Sequence, residues 1–164
     1  MLTLYCLGNP TLKHKNNRHN AGLLLGSFFI EKFDLKLKKF KYYQLSNSFQ
    51  IDGVTCQIAL SENYMNESGQ GVLSLKTTKM SKNDELFVLY DELDLKLGEI
   101  KIKQSGGNAG HNGLRSISSK IGDNYWKLRI GIDHPGDKDK VTSHVLGNFN
   151  EVEKRNLFAL FEVI

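Results

Sequence analysis

Proline is almost absent from this chain: two prolines in 164 residues leave no Pro-rich linker to divide it. Cysteine is equally scarce. Cys6 and Cys56 each stand alone in an apolar run that reads as a strand, where a small hydrophobe suits a core position. Neither has the paired spacing of a disulfide framework or a metal site, so the chain reads as a protein of a reducing compartment. Long apolar stretches are missing too. No run approaches the ~20 residues needed to span a bilayer. The start, Met1-Leu2-Thr3-Leu4-Tyr5, lacks the charged lead and apolar stretch of a signal peptide. These absences point to a cytoplasmic protein with no membrane partner. Charge is nearly balanced: 22 basic against 18 acidic residues give a formal +4. That balance tolerates a polyanionic partner without demanding one.

What is present is the pattern of one compact α/β domain over residues 1–164, with 40% hydrophobic and 24% charged residues. Leu2 to Leu7 is an apolar run stopped by Gly8-Asn9-Pro10, a buried strand entering a turn. Leu23, Leu24, Phe28, Phe29 and Phe33 form a helical face that begins near Asn20, a plausible cap. Phe40 to Leu60 is rich in strand formers, and Asp52-Gly53 in its middle predicts a hairpin. Val72 to Leu75 reads as part of a second helix. Leu86 to Tyr90 is the strongest buried-strand candidate and ends at Asp91-Glu92. Ile100 and Ile102 alternate with Lys101 and Lys103 as on a half-exposed strand. A glycine-rich loop then leads to a helix through Leu114, Ile117 and Ile121, a strand over 126–132 and a final helix over 152–164. Strands separated by helices imply a mixed, twisted sheet flanked by helices on both faces.

Polar clusters fall where an α/β protein usually places its site, just past strand ends. They are Gly8-Asn9-Pro10 with Arg18-His19-Asn20; Asn63-Tyr64-Met65-Asn66; Tyr90-Asp91-Glu92; and the loop ending His111-Asn112-Gly113. Singly, most have a plainer explanation: a turn, a capping or surface histidine, an aspartate that caps a turn. The glycine loop matches neither G-x-x-x-x-G-K-[ST] nor G-x-G-x-x-G, which speaks against a nucleotide-binding Rossmann-like protein. No G-x-S-x-G elbow is present, nor a ligand spacing suited to zinc. What remains is a His and a carboxylate, the minimum for activating water, together with Asn amides that bind main chain or an oxyanion without adding charge. The residues themselves do not name a substrate.

Taken in order, Leu7-Gly8-Asn9-Pro10, Arg18-His19-Asn20-Ala21-Gly22, Tyr64-Met65-Asn66-Glu67-Ser68-Gly69 and Asp91-Glu92-Leu93-Asp94-Leu95 resemble successive motifs of the bacterial peptidyl-tRNA hydrolases. Gly110-His111-Asn112-Gly113-Leu114, Leu128-Arg129-Ile130-Gly131-Ile132 and Ser143-His144-Val145-Leu146-Gly147 continue the likeness, which runs from residue 2 to about 150. Any one motif is weak, whereas the ordered set is specific. The resemblance implies a monomeric enzyme, free of metal and cofactor, that hydrolyses the ester between a peptide and the terminal ribose of tRNA. His19 would be the general base on water, oriented by Asp91. Asn9 and Asn66 would bind the peptide main chain, Asn66 also steadying the developing charge. Asn112 would place water or substrate, with Tyr64, Met65 and His111 lining the cleft. Lys101, Lys103 and Arg129 match family positions that grip tRNA phosphate, although their pattern alone suits a solvated strand edge.

On that reading His19→Ala removes most turnover and Asp91→Asn slows it less. A non-catalytic RNA-binding relative of the same fold is the alternative; retention of His19, Asp91, Asn9, Asn66 and Asn112 together argues against it. Thr11 stands where the family usually has glycine, and His14 where it has a tyrosine, so that Lys13-His14-Lys15 favours phosphate there. The family normally continues past the position of Ile164, so the C-terminal helix and tail read as cut short.

Overall fold

The computed structural model describes residues 1–164. β1 (Leu2–Cys6) is the central strand because every alternate side chain is apolar and both faces are covered. It pairs in parallel with β5 (Val54–Ser61) on one side and β6 (Glu85–Glu92) on the other, with Leu2 opposite Cys56 and Glu85. β8 (Trp126–Gly131) extends the parallel set beyond β6. Antiparallel strands close both ends. β2 (Leu37–Lys39), β3 (Tyr43–Ser46) and β4 (Phe49–Ile51) lie on the β5 side, and β7 (Ile100–Gln104) lies beyond β8. The result is a mixed sheet of eight strands in the order β2-β3-β5-β1-β6-β8-β7, with β4 also pairing β5. Asp52 and Gly53 join β4 to β5 with positive φ angles of 48° and 81°, the turn that matches strand twist.

Two cores follow from the alternation along β1 and β6. Leu4, Cys6, Ile58 and Leu89 face α1 (Ala21–Lys32) and α5 (Glu151–Glu162), where Leu25, Phe29, Leu157 and Phe161 meet them. Tyr5, Ala59, Val88 and Tyr90 face α2 (Ser68–Thr78) and α3 (Asn112–Ile121), packing on Val72, Leu75, Leu114 and Ile117. The expected sheet with helices on both faces is therefore what the chain builds. The second helix starts at Ser68, earlier than its apolar residues alone suggested, because Ser68 and Gly69 are small enough for close packing. A Cβ on Gly69 would lie 2.2 Å from the Ser116 carbonyl oxygen of α3. Cys6 and Cys56 are both buried and unpaired. No helix is long and apolar enough to cross a membrane.

α1 is pressed onto the sheet at its first turn, where a Cβ on Gly22 would sit 2.2 Å from the Leu89 carbonyl oxygen. That contact brings the 3₁₀ turn Arg18–Asn20 to the C-terminal ends of β1 and β6. From the far end of the chain, α5 holds the same turn. Asn150 and Glu153 form a reciprocal cap with bonds of 2.8 and 3.0 Å, and Glu153 also accepts from Arg18 at 3.1 Å. Arg18 donates in addition to the His144 carbonyl, beside the short helix α4 (Val141–Val145).

One local choice works against the fold. Thr11 has φ 82° and ψ 153°, a region essentially reserved for glycine. Strain there is of order 1–3 kcal/mol, against about 0.4–1 kcal/mol of added unfolded-chain entropy on changing to glycine. Thr11→Gly is accordingly expected to stabilise the protein by about 1 kcal/mol, raising Tm by roughly 2–4 °C in a thermal melt. An unchanged or lower Tm would show that the exposed turn carries no strain.

Candidate active site

The expected clusters converge at the C-terminal ends of β1 and β6, where β1 runs to α1 on one face and β5 to α2 on the other. Such a switch point opens a crevice in an α/β sheet. Here it is a cleft of about 910 Å³ lined by Asn9, His19, Tyr64, Met65, Asn66, Asp91, His111 and Asn112, among others. All eight sequence-selected cleft residues are thus brought together. Lys101, Lys103 and Arg129 are not in this cleft. Arg129 lies on β8, one strand beyond β6, and Lys101 and Lys103 on β7, two strands beyond it.

At the centre is a chain of three side chains. Asp91, the next-to-last residue of β6, is buried and accepts on both oxygens. His19 Nδ1 lies 2.8 Å from Oδ2, and His111 Nε2 lies 2.8 Å from Oδ1. Burial alone would push this carboxyl up, but the two imidazoles beside it, His111 and then His19, outweigh it and hold it well below the usual carboxylate range. The carboxylate therefore stays ionised, and His19 presents its other nitrogen, Nε2, to the cleft as an acceptor.

His111 has a further partner. It is the N-cap of α3, and its Nδ1 accepts from the backbone N–H of Gly113 at 3.1 Å and of Leu114 at 3.3 Å. With Nδ1 an acceptor, the proton of the neutral ring sits on Nε2 and points at Asp91. The two imidazoles, 5.0 Å apart, thus act differently on one carboxylate. This assignment also bears on metal binding. Donor atoms of His19, Asp91 and His111 all lie within 4.8 Å of one another. Yet the ring nitrogen of His111 nearest Asp91 carries its proton, and its lone-pair nitrogen is engaged by α3, so the trio is a hydrogen-bond chain rather than a ligand set.

Asn9 is fixed on every side but one. Its N–H donates to Asn20 Oδ1 at 2.8 Å, its carbonyl accepts from Asn20 Nδ2 at 3.0 Å, and its Oδ1 accepts from the Met65 N–H at 2.8 Å. The remaining group, the Asn9 side-chain NH₂, is a donor at the cleft wall. Asn20 therefore does not cap α1 with its side chain, as the sequence suggested; that amide holds Asn9 instead. Asn66 and Asn112 are exposed and line the same cleft, each at the first turn of a helical segment and with no side-chain bond inside the protein. Met65 is buried beneath them and Tyr64 is half exposed at 50%.

His134, Lys138 and Thr142 escaped the sequence reading; they form a further wall with Leu146, while Glu92 and Asp94, from a motif already singled out, form a rim. No local motif marks these three, which lie in and just before α4. Lys127 was missed for a different reason: within an alternating strand it reads as solvent-facing, yet it is buried, its Nζ donating to the carbonyls of Gly106 at 2.7 Å and Gly107 at 2.9 Å. Burial pushes its ammonium below the ordinary lysine value, opposed by Asp123 and reinforced by Lys103. In register it faces Lys103, as Arg129 faces Lys101. Like charges directly opposed destabilise a sheet unless something anionic is shared between them. Glu92, 4.0 Å from Arg129, answers only part of that charge.

An α/β sheet with a His–Asp pair and a set of Asn amides at its switch point is an architecture suited to a hydrolase. The comparisons agree and are more specific. The family model for peptidyl-tRNA hydrolase matches residues 3–164. The chain is 40% identical over 148 residues to the peptidyl-tRNA hydrolase of Azorhizobium caulinodans, covering 90% of this chain and 72% of that one. It is 39% identical over 149 residues to that of Acinetobacter baylyi, covering 90% and 77%. A solved structure of peptidyl-tRNA hydrolase from Acinetobacter baumannii superposes with a TM-score of 0.90 at 34% identity, over 99% of this chain and 83% of that one. This chain belongs to the peptidyl-tRNA hydrolase family.

Proposed function

We propose that the cleft hydrolyses the ester between a peptide and the terminal ribose of tRNA, with water as nucleophile and His19 as base. The observation that carries this is the His19–Asp91 bond at 2.8 Å, which leaves Nε2 as the free nitrogen on the cleft side. Nε2 takes a proton from water as the oxygen attacks the ester carbonyl carbon. The NH₂ groups of Asn9, Asn66 and Asn112 are neutral donors suited to the peptide main chain and to the oxyanion. Collapse breaks the bond to the ribose oxygen, which leaves with the proton held by His19, so the products are a peptide carboxylate and free tRNA. Asp91 stays ionised throughout and stabilises the imidazolium.

The cations of β7 and β8 suit the other half of such a substrate. Lys101 and Lys103 are exposed, and both face a cation across the strand pair. A phosphate relieves that repulsion and reads no sequence. Removing one such contact, as in Lys103→Met, is expected to weaken tRNA binding and to make the slope of log K against log salt shallower by about 1. An unchanged slope would remove Lys103 from the contact.

The reaction is tested by release of tRNA from N-acetyl-aminoacyl-tRNA, with unblocked aminoacyl-tRNA as control. Cleavage of the blocked substrate alone is the expected result. Binding without cleavage would overturn it in favour of an RNA-binding relative.

A further inference from the structure

The loop from Ser105 to His111 brings His111 and Asn112 to the cleft, yet it has little of its own to keep it in place. Four of its residues have positive φ: Ser105 at 57°, Gly106 at 93°, Ala109 at 46° and Gly110 at 80°. Two of these are not glycine, so the path is one the backbone does not choose unaided. Backbone bonds hold only its ends. The Ser105 N–H donates to the Tyr125 carbonyl at 3.0 Å, and the His111 N–H to the Asn108 carbonyl at 2.8 Å. Between them the tether is Lys127, whose ammonium binds the two successive carbonyls of Gly106 and Gly107.

Lys127 is an unusual residue to bury. Its accessibility is 1%, it forms no ion pair with a carboxylate, and its Nζ lies 5.3 Å from the centre of the Tyr125 ring. A buried ammonium is unfavourable unless its donors are used; here two of the three are used on the loop. Its strand is also the right one. β8 pairs directly with β6, which carries Asp91, so Lys127 ties the loop to the sheet that supplies His111 with its acceptor.

We propose that Lys127 is a positioning residue for hydrolysis, setting the Ser105–His111 loop so that His111 meets Asp91 and Asn112 faces the ester. The proposal rests on the functional reading above. It also links that loop to the phosphate-binding cations: a Cβ on Gly106 would lie 2.9 Å from Lys103 Cε, so the Lys103 side chain lies over the residue that Lys127 holds.

Two substrates separate positioning from phosphate contact: N-acetyl-aminoacyl-tRNA, and an N-acetyl-aminoacyl ester of the trinucleotide CCA, which lacks the acceptor stem. Lys127→Met is expected to lower kcat on both by about 10- to 100-fold, with KM for the short substrate little changed. Lys127→Arg keeps two N–H donors in reach and is expected to restore most of it. Lys103→Met should lower kcat/KM on the full tRNA only. If Lys127→Met behaves as Lys103→Met does, or if Lys127→Arg fails to restore turnover at an unchanged Tm, the proposal is wrong. Amide hydrogen exchange at Ser105 and His111, the loop N–H groups that are hydrogen-bonded, needs no turnover and so stands apart from the functional reading. Faster exchange in Lys127→Met supports the anchor, and unchanged exchange overturns it.

Discussion

His19→Ala is expected to lower kcat for N-acetyl-aminoacyl-tRNA by about 10²–10⁴-fold, the range of a lost general base, while tRNA binding is nearly unchanged. The separation follows from geometry. His19 bonds Asp91 and its ring lies 5.0 Å from that of His111, whereas the cations suited to phosphate lie on β7 and β8, outside the cleft. Truncation at His19 removes one donor from Asp91 and leaves the other, His111, in place. The carboxylate then takes a water from the open cleft, so the fold should persist, and a melt alongside the kinetics checks this. Normal turnover by His19→Ala would end the mechanism proposed here.

Much of the fold was legible because the apolar residues obey simple periods. Leu86, Val88 and Tyr90 on one face and Phe87 and Leu89 on the other mark β6 as covered on both sides, which requires helices on both faces. The cleft-lining clusters were legible because strand ends and turn residues locate the crevice before any coordinates are known. What was hidden depends on long-range contact. Asn20 sits at the right place for a cap, and only the return of Gly8-Asn9-Pro10 beside it shows that its amide serves Asn9. Lys127 alternates correctly for an exposed position on β8, and its burial depends on a loop some twenty residues earlier in the chain folding back over it. His111 was read as a cleft-lining residue; its double engagement emerges only where the start of α3 meets the end of β6.

That double engagement alters the expectation for Asp91→Asn, which the sequence reading made less severe than His19→Ala. An amide offers one acceptor and one donor where the carboxylate offers two acceptors. His111 is not free to adapt, since the N–H groups of Gly113 and Leu114 keep its proton on Nε2. The Asn oxygen must then face His111 and its NH₂ must face His19. His19 answers by accepting at Nδ1, which moves its proton to Nε2, the nitrogen that has to accept from water. The base is lost with every atom close to its original place. Asp91→Asn is therefore expected to lower kcat by about 10³–10⁴-fold, comparable with His19→Ala, as expected for an imidazole held in the wrong tautomer. Nitrogen chemical shifts of His19 should report the exchanged tautomer directly. A second substitution tests the cause. In Asp91→Asn with His111→Ala, nothing fixes the amide, so it can turn its oxygen toward His19 and return the proton to Nδ1. The double variant should be more active than Asp91→Asn alone, a non-additivity that independent losses do not produce. A double variant slower than Asp91→Asn would mean that His111 does not impose the tautomer.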